Sequence, residues 1–258
     1  MNNTHVLSVR RTATALACAA ALVSLTACNS GSDKAADADS KASTAADKPA
    51  KADAKPNGAD KLSATELRAK GLETKAAAGS VHEVMSRSDA KSDLRLSATE
   101  CTGSVDLTDM GTFEVIRKGN DVWVKVDSKF VSWAKKNDAG TIQAGQWMHG
   151  SPTASLTKAL VSYCHVEQFG QQEKSSLKLA KGDAAEVAGQ PVATVVAKGT
   201  DPSKKATFSI ATTGKPYLLQ QEMPYSNGTG MQTITWSDFG TAVGAKAPTG
   251  KIVTAPKI

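Results

Sequence analysis

From Val81 onward the chain alternates with a period of two, and this pattern limits the fold more than any other feature. VHEVMSRS, DLRLSATECTGSVDL, GTFEVIRKG and NDVWVKVD alternate apolar and polar residues or are rich in β-branched ones. Side chains two apart share one face of a strand, so such segments present one apolar face and one wet face. RKGND, between the last two, is a hairpin turn signal. Nearer the C-terminus PVATVVAKG, KATFSIATTG, PYLLQQEM and QTITWSDF repeat the pattern, with TTGKP and SNGTG as turns. Strands at short, regular spacing predict an antiparallel sheet in meander order. A sheet with one apolar face needs a second layer to cover it.

Two segments have a helical period. LSATEL opens with Ser63 as N-cap and Glu66 three residues on, a capping box, with Leu62 and Leu67 placed as a hydrophobic staple. A helix is predicted from there to about Ala78, stopping at Gly79. Its apolar face is thin, Leu67 and Leu72 and then alanines, so it is expected to settle on a surface already formed. In HGSPTASLTKALVSYCHVEQF, Ser151 is a candidate cap and Pro152 suits the first helical position. Leu156, Leu160 and Tyr163 recur at i, i+4, i+7, predicting a helix from Thr153 to about Phe169. The fold class is α+β, a large curved antiparallel sheet with helices laid against one face.

At the N-terminus, Arg10 and Arg11 precede an apolar run from Ala13 to Ala27 that ends in small residues. This is the layout of a secretory signal, and the run is too short and alanine-rich for a good membrane span. LTAC, Leu25-Thr26-Ala27-Cys28, resembles the lipobox of bacterial lipoproteins. That resemblance implies a diacylglycerol on the Cys28 thiol and a cut just before it. Thr12-Ala13-Thr14 lack the apolar pattern of twin-arginine export, so the general secretory route is expected. Residues 1–27 are then signal peptide. Two acyl chains anchor stably where one is marginal, so the expected location is the extracytoplasmic face of the cell membrane, with the membrane as partner through Cys28. Residues 28–61 hold no aromatic residue and no Leu, Ile, Val or Met. Such a stretch buries too little to offset chain entropy and is expected to be a disordered tether. Residues 62–258 form the folded body.

Of four cysteines, Cys18 leaves with the signal and Cys28 takes the lipid. Cys101 and Cys164 remain in an oxidising compartment, where a lone pair is expected to be a disulfide. The rival reading is a thiol nucleophile or a metal pair. Cys164 adjoins His165, but neighbours in sequence point different ways on a helix, and there is no CxxC spacing. The bond would tie the second helix to an early strand.

The signal with its lipobox, the Ala/Lys/Asp tether, the strand pair TFEVIRKGNDVWVKV and the ending TGKPYLLQQEMP…TITWSDFGTAVGAKAP together resemble actinobacterial lipoproteins of the LppX/LprG type, within the wider LolA-like fold. The resemblance covers nearly the whole body and rests on the order of elements, not on a catalytic signature. It implies a half-barrel with helices packed on its concave face and, between them, an apolar cavity for the acyl chains of a lipid or glycolipid. It implies no enzyme activity. Candidate wall residues are Leu94, Leu96, Phe113, Val115, Val122 and Val124 from strands and Leu156 and Leu160 from the helix. An ordinary packed core would use the same residues. Gln143, Gln146, Gln168, Gln171 and Gln172 flank the middle helix and could rim an opening or lie in solvated loop.

The residues themselves point to no other chemistry. There is no HExxH, GxSxG or Walker loop, and His82, His149 and His165 lack metal-ligand spacing. No metal, cofactor or catalytic residue is expected. The net charge of +6 falls to +4 once Arg10 and Arg11 depart, and lysines and aspartates are mixed. No basic stripe with interleaved aromatics exists, so nucleic acid is not an expected partner. The expected function is a membrane-anchored lipoprotein that binds or carries a hydrophobic ligand. The alternative is a cell-surface interaction or structural module of the same fold with no lipid ligand.

Overall fold

The computed structural model describes residues 55–137, 141–166, 169, 178–199, 205–225 and 230–256. β1 (Ser80–Arg87), β2 (Ala90–Ser97), β3 (Glu100–Leu107), β4 (Gly111–Lys118) and β5 (Asp121–Val126) form an antiparallel meander. β6 (Trp147–Gly150) adds to β5. A second group holds β7 (Lys178–Lys181), β8 (Ala185–Val187), β9 (Gln190–Lys198), β10 (Lys205–Ala211), β11 (Leu218–Pro224) and β12 (Met231–Ser237). There β9 to β12 again run in meander, with β7 and β8 both against β9. β13 (Ile252–Thr254) lies parallel to β6.

The expected single meander is two meanders fused. β1 pairs with β12, His82 opposite Ser237, as well as with β2. That pairing turns the sheet into one unclosed layer with β1 and β12 at its middle. Alternation reads a strand's faces but does not say which distant strand lies beside it.

Period two sets the layers. Leu94 and Leu96 of β2, Val105 of β3, Phe113 and Val115 of β4, and Val122 and Val124 of β5 point to one face and are buried. The helices lie on that concave face. α1 (Ala64–Ala77) packs on β7, β9, β10 and β11. It begins with the expected capping box at Ser63 and Glu66, and Gly79 follows its end with φ 78°. Gly71 lets α1 lie close to the sheet, since a Cβ there would stand 2.8 Å from Cγ1 of Ile210.

α2 (Ser128–Lys136) packs on β4 and has no counterpart in the sequence reading. The Asp127 carboxylate accepts from Phe130 N at 2.7 Å, capping α2, and from Thr112 N at 2.9 Å, holding β4. Phe130 then stands edge-on to Phe113, their centroids 6.4 Å apart. α3 (Ser155–Val161) packs on β4 and β5. It is shorter than the predicted Thr153–Phe169. Ser151 does not cap it; the N-cap is Ala154, with no side-chain bond. The chain tightens into a 3₁₀ turn at Ser162–Cys164 and leaves the helix at His165, φ 47°. A helix cannot continue through a left-handed residue.

The expected tether boundary also moves. Residues 55–61 are ordered against the body: the Asn57 amide donates to Ala211 O at 2.9 Å, Pro56 bridges Thr213, and Ala59 is 2% exposed. Small and polar residues can be held by backbone hydrogen bonds, which composition does not reveal. Cys28 and the signal lie outside the described residues.

Candidate functional site

The helices cover the two ends of the concave face and leave its middle. α1 stands over the second meander, α2 and α3 over the first. Between them β1 and β12 form the floor of an open cleft of about 540 Å³. A contiguous lobe of about 300 Å³ shares Glu83, His165, Gln232 and Ile234 with it. Clefts of roughly 300–1,000 Å³ are the size of small-molecule sites.

The apolar part of the lining is Val81, Leu96, Phe208, Met223, Ile234 and Trp236 from the sheet, with Leu72 from α1 and Phe169 opposite. The polar part is patterned. Arg68, Leu72 and Lys75 sit at i, i+4, i+7 of α1, one helical face turned to the cleft. The Arg68 guanidinium lies over Phe208, 4.7 Å from its centroid, and Lys75 Nζ over Trp236 at 4.0 Å. Trp236 in turn donates its indole N–H to Glu83 Oε2 at 2.7 Å. Arg87 of the second lobe sits over Tyr225 and pairs with Asp89 at 2.6 Å.

The wall expected from sequence lies mostly elsewhere. All eight residues belong to the packed core, each 5% exposed or less, and of them Leu96 borders the cleft. Leu156 and Leu160 do not stand off from the sheet, because α3 touches β4 and β5 directly. The open space is displaced by several strands, to where no helix covers the floor. Gln143 and Gln146 border a different hollow beside β6 and β13. Gln221 and Gln232 line the cleft instead, and Gln168, Gln171 and Gln172 lie outside the described residues. The signal that could have located the cleft is the interruption of the inward apolar pattern at Glu83, Arg87, Gln221 and Gln232. Polar residues at inward positions mark floor that touches water.

Cys101 of β3 and Cys164 of the 3₁₀ turn are joined in a disulfide, Cα atoms 5.9 Å apart. Both are fully buried, and the bond fixes the turn that presents His165 to the cleft. His82 and His149 face away, each bonded to a carboxylate, Asp93 at 2.7 Å and Asp121 at 2.8 Å. Among the described residues no group of three His, Cys, Asp or Glu is placed to hold a metal ion, and no helix is long and apolar enough to cross a membrane.

The geometry defines an α+β half-barrel with an amphipathic, ligand-sized cleft on its concave side. No family model and no curated protein matches the chain. Among solved structures it is similar to the lipoprotein LppX of Mycobacterium tuberculosis, at 16% identity and TM-score 0.47, over 70% of this chain and 97% of that one. It is also similar to a LolA superfamily protein from Nitrosomonas europaea, at 10% identity and TM-score 0.26, over 69% and 92%. The MucA/MucB complex of Pseudomonas aeruginosa gives 12% and 0.31, over 67% and 55%. Likeness at this level concerns the path of the backbone and says nothing of a ligand.

Proposed function

We propose that the protein is an extracytoplasmic lipoprotein, anchored through a diacylglyceryl group on Cys28, that binds or carries a lipid in the cleft between α1 and strands β1 and β12. The observation that carries this reading is the cleft itself. It opens over the middle of a sheet whose other inward positions are packed, and its floor sets apolar Val81, Leu96, Ile234 and Trp236 among polar Glu83, Gln221 and Gln232. A concave site of this volume with an apolar lining and a few polar groups has the build of a ligand pocket. The lipobox resemblance supplies the location, and residues 29–54 the length of chain to hold the body off the membrane.

Purification from the native membrane followed by native mass spectrometry tests the reading. Protein carrying one lipid per chain is the expected result. Ile234 lines both lobes, so Ile234→Trp should fill the junction and release that lipid while the fold survives. A protein without lipid, or lipid retention unchanged by Ile234→Trp, would count against the cleft as a ligand site.

A further inference from the structure

We infer that the convex face of the sheet carries a second binding site, for a neutral pyranose unit of a glycan, with Trp147 as its platform. The site lies on the far side of the sheet from the cleft and does not depend on what the cleft binds. Val115 and Met148 point inward and are buried, so their strand neighbours Glu114, Ile116 and Trp147 point outward. An outward face meets water and is normally polar. Here Ile116 stands opposite Trp123 across the β4–β5 pair, and Trp147, half-buried, lines the same hollow as Ile116. That hollow is open and holds about 320 Å³. Its apolar border is Trp147 and Ile116, and its polar border is Thr102, Ser104, Glu114 and Asp93.

The polar border defines the ligand. It holds two carboxylates and no Lys, Arg or His, which disfavours an anion. An ionised carboxylate accepts hydrogen bonds only, and it accepts more than one. Asp93 meets His82 Nε2 at 2.7 Å and Glu114 meets Lys125 Nζ at 2.7 Å, each through one oxygen, so their capacity is not used up. The Thr102 and Ser104 hydroxyls, cross-strand neighbours of Ile116 and Glu114, both donate and accept. A hydrocarbon would desolvate this border without giving it partners. A cationic peptide would meet the carboxylates but is opposed by Lys125, whose Nζ already pairs with Glu114 and lies 4.8 Å from the Trp147 ring centroid. A pyranose answers both borders at once. Its hydroxyls supply donors and acceptors, and the C–H groups on one ring face form an apolar patch that lies against an indole.

The test titrates the purified full-length protein with cellotetraose, maltotetraose, laminaritetraose and chitotetraose, read by calorimetry. At least one should bind, and Trp147→Ala should weaken that binding on the order of tenfold, as loss of an aromatic platform does. Tetragalacturonate, whose carboxylates face those of the hollow, should bind more weakly than the neutral sugar. No binding by any of the four at millimolar concentration, or binding undiminished in Trp147→Ala, overturns the inference. Tetragalacturonate binding as tightly as the neutral sugar overturns it too, and tetralysine binding in place of the sugars would make the hollow a cationic-peptide site instead. Should Trp147→Ala fail to fold, Ser104→Trp carries the test. Trp suits a strand and from Ser104 should fill the hollow and abolish binding; unchanged binding in that variant overturns the inference equally.

Discussion

Cys101 and Cys164 enclose a loop of 63 residues, and that length sets what the bond is worth. In the chain-entropy account, cross-linking a loop of this size restricts the unfolded chain by about 4 kcal/mol. The cysteines are fully buried, so their replacement also removes packing. Cys101→Ala with Cys164→Ala is expected to lower unfolding free energy by about 4 kcal/mol, measured by urea titration against the oxidised parent. A change below about 1 kcal/mol would mean that the bond does not constrain the unfolded chain. Gly103, two residues from Cys101, is fixed for a different reason. It has φ 149°, and a Cβ would overlap the Asp93 carbonyl oxygen across the β2–β3 pair. Neither the pairing partner of a cysteine nor the closeness of a neighbouring strand is a property of one residue. The disulfide could be expected by elimination, whereas the demand at Gly103 could not be seen.

At the scale of elements, α1 was readable because its start is written locally. Ser63 Oγ accepts from Glu66 N at 3.3 Å, and Glu66 Oε2 accepts from Ser63 N at 3.0 Å and Ser63 Oγ at 2.6 Å. The side-chain bond from Ser63, then the backbone one, holds the Glu66 carboxyl below the ordinary carboxylate range. A carboxyl lowered in the folded state contributes stability that is present above its unfolded value and lost as pH falls through its folded one. Ser63→Ala should cost about 1 kcal/mol at neutral pH as a lost N-cap, and the gap from the parent should narrow in acid. Thermal melts of both proteins across the acid range check this; a gap that widens in acid contradicts it. α2 carries its cap just as locally, at Asp127, and Phe130 and Ala134 on one face. Sequence pattern alone does not show it, because it is a short helix inserted directly after a strand whose own alternation runs up to Asp127. α3 is shorter than its spacing predicts for the opposite reason: Leu156, Leu160 and Tyr163 keep helical spacing across a turn that is 3₁₀ in fact.

Across the whole molecule, the class of fold follows from periodicity, while the position of the cleft depends on which distant strands meet. Facing apolar surfaces on α3 and the first meander were visible in sequence, but whether they touch is decided by helix placement. They touch. Leu156 is 3% exposed within the core, so Leu156→Trp should overpack it and cost about 1–3 kcal/mol. Lipid retention by the surviving folded protein should not change, in contrast to Ile234→Trp. Paired denaturation and mass measurements on the two variants separate core from cleft, and loss of lipid in Leu156→Trp would put the site under α3 after all. The proposed diacylglyceryl anchor at Cys28 carries a prediction of its own for the body. Its +4 charge without the signal is spread among mixed lysines and aspartates, which gives weak attraction to anionic lipid at best, about 1 kcal/mol for each basic residue near the surface. Retention at the membrane should then depend on the acyl chains proposed for Cys28, because each buried methylene contributes about 0.8 kcal/mol. Cys28→Ala is expected to shift the protein from the membrane fraction to the soluble one, or to stall it with residues 1–27 still attached. Fractionation with intact-mass analysis distinguishes these outcomes from a third. A substituted protein that is fully processed and stays with the membrane, even in high salt, would place its attachment somewhere other than Cys28.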